Sequence, residues 1–156
     1  MTTSMQLLGT RFGTIDYGGD DIVDFPAGLI GFPDFQSFLV LSHKPDSPFR
    51  WLQSIDEPAV AFLMVDPQAY VESYTPQVSN AEAEALRIAQ TTPTLVLTTA
   101  SIPGGNVDEM TLNLAAPIVL NLEARIGRQV VLEGEAYNIR HRVFDPANPA
   151  SERMAA

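Results

Sequence analysis

The apolar residues of this chain occur only in short runs, and this feature limits what the chain can fold into. The longest unbroken run is residues 59–65, seven residues closed by Pro58 and by Asp66-Pro67. A membrane-spanning helix needs roughly 18 apolar residues. A short run between turn residues is instead typical of a strand. We therefore expect residues 59–65 to form a strand that is covered on both faces, in the middle of the core.

The other apolar runs are also short, rich in β-branched and aromatic residues, and separated by Pro, Gly and Asp. This pattern predicts strands. The predicted strands are residues 5–10, 22–25, 38–42, 49–55, 59–65, 94–99, 110–114, 116–121, 129–134 and 136–142. The pairs Gly18-Gly19 and Gly104-Gly105 predict loops or hairpin connections, because glycine adopts positive φ without a steric penalty.

One segment, residues 79–90, is predicted to form a helix. Ser79 and Glu82 have the spacing of a capping box, good helix formers continue to Gln90, and Pro93 ends the segment. Many short strands around one short helix predict a mainly β fold, a small antiparallel β-barrel-like or sandwich domain. We expect this single domain to span residues 1–144. Residues 145–156 contain two prolines and no apolar periodicity, which predicts a disordered C-terminal tail.

The charge of the chain is acidic and unevenly distributed. The sequence has 9 Lys plus Arg against 19 Asp plus Glu, for a formal net charge of -10, and the excess lies within residues 1–110. A surface of this sign repels phosphate, so we expect no direct binding of nucleic acid, and it is compatible with a basic protein partner. The N-terminal sequence lacks the pattern of a secretory signal. We expect a cytoplasmic protein that does not associate with a membrane.

Few residues offer catalytic or metal-binding chemistry. The chain has no Cys, and His43 and His141 lie far apart without a carboxylate at a metal-ligand spacing, so we expect neither a metal nor a cofactor. The best catalytic candidates are Glu133 and Glu135, whose Cα atoms would lie about 6.6 Å apart on one face of a strand, at about 3.3 Å per residue. Such a pair can serve a β-barrel hydrolase of the glycosidase kind. The alternative is a solvated strand end.

Two further patterns need an explanation. Residues 25–32 hold five apolar or aromatic residues interrupted by proline and glycine, so this segment is either a plug for the core or a docking loop. Amide side chains also occur in strand-like apolar runs, where an unsatisfied amide is costly. We expect them to bond to the backbone of neighbouring loops. These residues are Gln53, Asn113, Asn121 and Gln129.

Several motifs, in this order along the chain, resemble the flagellar assembly factor FliW family of flagellated bacteria. They are Phe12-Gly13, Phe25-Pro26-x-Gly28-Leu29-x-Gly31-Phe32, Leu52-Gln53-Ser54, residues 58–62, Asp66-Pro67, Tyr74, Asn113-Leu114-x-Ala116-Pro117-Ile118-x-x-Asn121 and Gly127-x-Gln129. The resemblance covers most of the chain, to about residue 140. It implies a non-enzymatic cytosolic protein with a small β-barrel-like fold.

The resemblance also implies two partners. One is newly made flagellin, and the other is the carbon storage regulator CsrA, an RNA-binding repressor of flagellin translation. When flagellin is exported, the freed factor captures the repressor and translation resumes. We assign partner binding to the apolar loop and to two acidic pairs, namely Phe25, Leu29, Phe32, Asp20, Asp21, Asp56 and Glu57. The rival hypothesis is the hydrolase, which requires a concave pocket that holds both candidate carboxylates.

Overall fold

The computed structural model describes residues 4–42, 44–134 and 136–144. This part of the chain contains eleven strands and one short α-helix, α1 (Asn80–Ala85). The strands are β1 (Met5–Thr10), β2 (Gly13–Tyr17), β3 (Ile22–Asp24), β4 (Ser37–Ser42), β5 (Phe49–Ser54), β6 (Ala61–Val65), β7 (Thr94–Ser101), β8 (Thr111–Leu112), β9 (Ile118–Asn121), β10 (Ile126–Gln129) and β11 (His141–Arg142). The mainly β class is confirmed. The tail, residues 145–156, lies outside the described residues, and the extent of the domain stays a prediction.

Seven of the strands close into a barrel. The hydrogen-bonded order is β7-β6-β5-β4-β3-β10-β9, and β9 returns to pair with β7. Every pair in this ring is antiparallel except β3 with β10, which is parallel. Closure leaves no unpaired edge in the ring. The β1–β2 hairpin forms a separate sheet, and its Phe12 ring packs edge-on against Trp51 of β5 at 5.3 Å between ring centroids.

The barrel interior is filled by side chains from alternate positions of these strands. Leu52 of β5, Met64 of β6 and Leu97 of β7 are fully buried in one cluster with Phe25 and Phe38. Gly127 of β10 is required by this packing, because a Cβ atom there would lie 2.4 Å from the Cζ atom of Phe25. The barrel is therefore packed through its middle.

The longest apolar run is less buried than its sequence predicts. Met64 and Val65 are fully buried, but Phe62 and Leu63 are half-buried and Ala59 is exposed. The prediction that the whole run is covered on both faces is wrong. Leu63 lies on the outer face of the barrel, which is only partly covered, whereas Phe62 pairs with Leu52 on the inner face and is half-buried beneath Phe32.

Several strand boundaries also differ from the prediction. Strand β2 was not predicted, because it is held by pairing with β1 and not by an apolar run of its own. The predicted strand over residues 129–134 is wrong, since β10 ends at Gln129. Beyond it, the backbone N–H groups of Val130 and Leu132 donate to the carbonyls of Pro117 and Ala115, both at 2.9 Å. Residues 110–114, 116–121 and 136–142 form shorter strands than predicted.

Helix α1 begins where the sequence predicts and ends earlier. The Ser79 hydroxyl accepts a hydrogen bond from the Glu82 backbone N–H at 3.2 Å, but the Glu82 carboxylate forms an ion pair with Arg128. The helix stops before Arg87, which has φ of 56°, and the carbonyls of Leu86 and Arg87 accept hydrogen bonds from Asn121 Nδ2. In the described part of the chain, no helix has the length and apolar character needed to cross a membrane.

The buried amides have the backbone partners that we expected. Gln53 Nε2 donates to the carbonyls of Ser54, Pro58 and Val60, and Asn113 Oδ1 accepts from the Ala116 N–H. Asn121 bonds to backbone groups on both sides of its side chain. Gln53 and Asn121 thus fix loops to barrel strands, and Asn113 closes a turn between β8 and β9.

Candidate protein-docking surface

The apolar segment predicted as a plug or docking loop, residues 25–32, is part of the loop of residues 25–36 that connects β3 to β4. Leu29 and Phe32 exchange backbone hydrogen bonds, at 3.2 Å and 2.8 Å, so that Ile30 and Gly31 form the tip of a tight turn. Gly31 has φ of 86° and Gly28 has φ of 67°. A Cβ atom on Gly28 would lie 2.6 Å from the Phe32 carbonyl oxygen. This loop conformation therefore requires glycine at both positions.

Side-chain amides attach the loop to the barrel. Gln129 Oε1, at the end of β10, accepts a hydrogen bond from the Ile30 N–H at 3.0 Å, while its Nε2 donates to the Ala116 carbonyl at 3.1 Å. Gln36 Nε2 donates to the Pro26 carbonyl at 3.0 Å and closes the base of the loop. The prediction that the Gln129 side chain bonds to the backbone of neighbouring loops is confirmed. These bonds hold the loop tip in one position before any partner binds, which lowers the entropy cost of docking.

Aromatic rings connect the core to the surface beneath this loop. Phe25 packs edge-on against Phe38 at 5.1 Å, Phe38 contacts Phe62 at 6.4 Å, and Phe62 contacts Phe32 at 5.1 Å between ring centroids. Phe32 also stacks on Phe35 at 5.6 Å. Phe32 remains 42% exposed. We call the surface formed by Ile30, Phe32, Phe35 and Phe62 the Phe32 patch.

Carboxylates lie beside the Phe32 patch. The Asp56 carboxylate accepts hydrogen bonds from the backbone N–H groups of Gln36 and Ser37, at 2.8 Å and 2.9 Å, so the β5–β6 turn is fixed against the base of the loop. Asp34 and Glu57 are exposed next to it. The sequence has no Lys or Arg within residues 12–43 or 51–86. The rim of the patch is therefore acidic, with no basic residue from the segments that build it.

The seven residues assigned to partner binding do not form one surface. Phe32, Asp56 and Glu57 belong to the Phe32 patch and its rim. Phe25 is fully buried and Leu29 is 5% exposed. Their assignment to direct partner contact is wrong for this conformation, because both side chains pack in the core and support the loop from below.

The other acidic pair lies away from the patch. Asp20 and Asp21 precede β3, whereas the loop follows β3, so three strand residues, about 10 Å, separate them. The Asp21 carboxylate accepts a hydrogen bond from the Gly18 N–H at 2.8 Å. Asp20 and Asp21 were assigned to partner binding because they form an acidic pair within residues 1–110, where the negative charge is concentrated.

Sequence reasoning missed four residues of this surface: Ile30, Asp34, Phe35 and Phe62. The apolar segment was taken to end at Phe32, although Asp34 and Phe35 follow immediately after Pro33. Phe62 was assigned to a buried run. The signal that could have found Asp34 and Phe35 is the Pro33-Asp34 pair between two aromatic residues, because proline and aspartate are common in exposed turns.

The carboxylate pair proposed for a hydrolase is not supported by the described residues. Glu133 lies in an exposed bend after β10 and not on a strand, so the spacing argument for the pair is wrong, and Glu135 lies outside the described residues. Glu133 lines a cavity of about 390 Å³ with Glu82 and Tyr137. Glu82 is paired with Arg128. No group of three or more His, Cys, Asp or Glu among the described residues could hold a metal ion.

The closed barrel and the Phe32 patch with its acidic rim define the class of this protein. It is a small β-barrel protein with a surface of the kind used in protein–protein contacts. The family model described as "FliW protein" matches residues 6–143. This chain belongs to the FliW family of flagellar assembly factors.

Individual relatives agree with this assignment. The chain is 38% identical over 148 residues to the flagellar assembly factor FliW of Desulfitobacterium hafniense strain Y51, covering 95% of this chain and 96% of that protein. It is 34% identical over 142 residues to that of Thermoanaerobacter pseudethanolicus, covering 90% and 94%. A crystal structure of the flagellar assembly factor FliW superposes with a TM-score of 0.83 at 31% identity, covering 90% of this chain and 98% of that one.

Proposed function

We propose that this chain is a non-enzymatic assembly factor whose Phe32 patch binds flagellin and, when flagellin is absent, a CsrA-type RNA-binding regulator. Binding of the regulator relieves its repression of flagellin translation. Family membership supports the role in flagellar assembly. The observation that supports binding at this place is the exposed aromatic ring of Phe32, held from below by Phe35 and Phe62.

The physical properties of the patch suit a protein partner. An aromatic side chain with two rotatable bonds, already fixed by its neighbours, loses little conformational entropy on binding and covers a large apolar area. The acidic rim favours a partner with Lys or Arg around an apolar anchor, and an RNA-binding regulator needs such basic residues for its own function. Because the patch is one small surface, its two partners are expected to exclude each other.

Competition between the purified proteins tests this proposal. The chain is first saturated with fluorescently labelled regulator, and unlabelled flagellin monomer is then added while anisotropy and sedimentation are recorded. Shared use of the patch predicts full release of the regulator at saturating flagellin. A stable ternary complex of all three proteins would contradict it, and failure of either partner to bind would contradict the corresponding part of the proposal.

A further inference from the structure

Two arginines, Arg50 and Arg125, lie at the barrel end opposite the Phe32 patch. Side chains alternate along a strand, so Arg50 of β5 shares the inner face with Leu52. Arg125 lies in the turn just before β10, and its Nη2 donates a hydrogen bond to the Asp21 carbonyl. Both arginines line one cavity of about 190 Å³. Its other walls are Val23, Val40, Leu95, Leu120, Asn121 and Leu122.

This cavity is well separated from the Phe32 patch. Strand β4 begins at Ser37, beside the loop, and Arg50 pairs with Ser42 at its far end. Five residues of strand, roughly 17 Å at about 3.4 Å per residue, lie between the two ends. The cavity and the patch therefore lie at opposite ends of the barrel.

The two guanidinium groups have no anionic partner in the described part of the chain. The ion pair found there joins Arg128 with Glu82. Arg125 Nη2 donates to the Asp21 carbonyl at 2.9 Å, and Arg125 Nε is buried without a hydrogen-bond partner. Two like charges against apolar walls are costly unless an anion compensates them.

The chain holds Arg125 in this position by a specific turn. Asn121 Oδ1 accepts hydrogen bonds from the N–H groups of Glu123 and Ala124, both at 3.0 Å. Arg125 itself has φ of 58°, a backbone conformation that residues other than glycine rarely adopt. Its N–H donates to the Asn121 carbonyl and its carbonyl accepts from the Asp24 N–H, each at 2.9 Å. The strained backbone is thus fixed at both ends by hydrogen bonds.

We propose that this cavity binds a carboxylate carried on a short apolar stem. Guanidinium groups match the planar geometry of a carboxylate with paired hydrogen bonds, and the aliphatic walls cover the stem. At about 30 Å³ per water molecule the cavity holds roughly six waters, which limits the stem to a few carbon atoms. A free aliphatic acid and the C-terminal residue of a peptide share this chemistry.

Titration of the full chain with matched probes tests the proposal. Hexanoate, its neutral amide, inorganic phosphate, and a peptide ending in leucine with either a free or an amidated C-terminus are each followed by methyl NMR and calorimetry. We expect saturable binding of a free acid, with shifts at Val23, Val40 and Leu120, and at least tenfold weaker binding of its amide. Binding of the free-acid peptide without hexanoate would assign the carboxylate to a chain end, and hexanoate binding would assign it to a small acid.

Arg50→Met separates ligand binding from a structural role. The variant should bind the free acid at least tenfold more weakly than the unaltered chain does. Its melting temperature should stay level or rise, because the substitution removes an uncompensated charge. Arg140→Met, which changes an exposed arginine elsewhere, should bind as the unaltered chain does. If Arg50→Met does not fold, Arg50→Lys retains the charge without the planar fork and should still weaken binding several-fold.

Three results would overturn the proposal. They are the absence of saturable binding by either free acid, equal binding of acid and amide, and unchanged affinity in the Arg50 variant. Phosphate that competes as well as hexanoate would also overturn it, because the apolar walls would then contribute nothing.

Discussion

Phe32→Ala separates docking from packing at the Phe32 patch. With 42% of the residue exposed, a little over half of an aromatic side chain of about 200 Å² is covered, which removes about 115 Å² from water. At about 25 cal/mol per Å² this area corresponds to about 3 kcal/mol as an upper limit. Since alanine keeps the Cβ atom, we expect a loss of about 2 kcal/mol in the free energy of unfolding. The fully buried Phe38 should lose about 3–5 kcal/mol when changed to alanine.

The binding assay uses two matched variants. Ile30→Ala alters the 56% exposed tip of the same loop, and Leu8→Ala alters a 64% exposed side chain on the separate β1–β2 hairpin. Calorimetry at 20 °C, where all variants are folded, should show affinity for flagellin reduced about 30-fold in Phe32→Ala, which corresponds to about 2 kcal/mol. Ile30→Ala should weaken flagellin binding with little loss of stability. Leu8→Ala should change neither flagellin binding nor stability. Unchanged affinity in both loop variants would refute the assignment of the patch.

Three further predictions concern surface charge, the buried Tyr74 and the loop glycine Gly28. Asp20→Asn combined with Glu57→Gln removes two charges without touching the carboxylates that bond to backbone. Because the aromatic patch and the other rim carboxylates remain, this variant should weaken regulator binding only slightly, but it should reduce release of RNA from a regulator–RNA complex. The difference in RNA release between this variant and the unaltered chain should shrink as salt rises. A charge pair about 10 Å apart is worth roughly 0.4 kcal/mol, and the Debye length is about 8 Å, so salt screens such pairs. Unchanged release that does not depend on salt would exclude electrostatic repulsion. Burial raises the pKa of Tyr74 above 10, with a smaller contribution from Tyr137, so the unfolded chain loses this proton first and stability should fall as pH rises above about 10. Urea melts of Tyr74→Phe should show about 1 kcal/mol lower stability at pH 8, from the lost bond to the Leu114 carbonyl, and a smaller decline by pH 11; an equal decline would show that Tyr74 is not the titrating group. Gly28→Ala should cost more than about 1 kcal/mol and weaken partner binding, because of its positive φ and its backbone contact, while Gly19→Ala, in open space, should change neither; wild-type behaviour of the Gly28 variant would contradict the loop geometry.

The strand pattern and the amide contacts could be predicted from the sequence because both depend on local chemistry. A short β-rich run between turn residues has few alternatives, and Gln129 or Asn121 in such a run must find a polar partner. The exposure of Phe32 and the burial of Phe25 could not be predicted in the same way. The two residues are chemically identical, and which one faces solvent depends on the turn at Ile30 and on contacts with Phe62.

The error at Glu133 has a different physical origin. Strand β10 contains glycine, arginine and glutamine, and it is stabilised by pairing with β9 and β3, not by an apolar pattern of its own. The sequence therefore placed the start of the strand three residues too late and its end five residues too late, over the apolar residues 130–132. With that shift, Glu133 appeared to lie on a strand face beside Glu135. The predicted carboxylate pair was a consequence of this single boundary.

Hydrogen exchange of the backbone amides in each complex tests most directly whether the Phe32 patch is the docking surface. The chain is measured alone, with saturating flagellin, and with saturating regulator. We predict increased protection at residues 29–36 and 55–60 in both complexes, with no change in the β1–β2 hairpin. Protection confined to the hairpin or to residues 130–134, with the loop at residues 29–36 unchanged, would contradict the account.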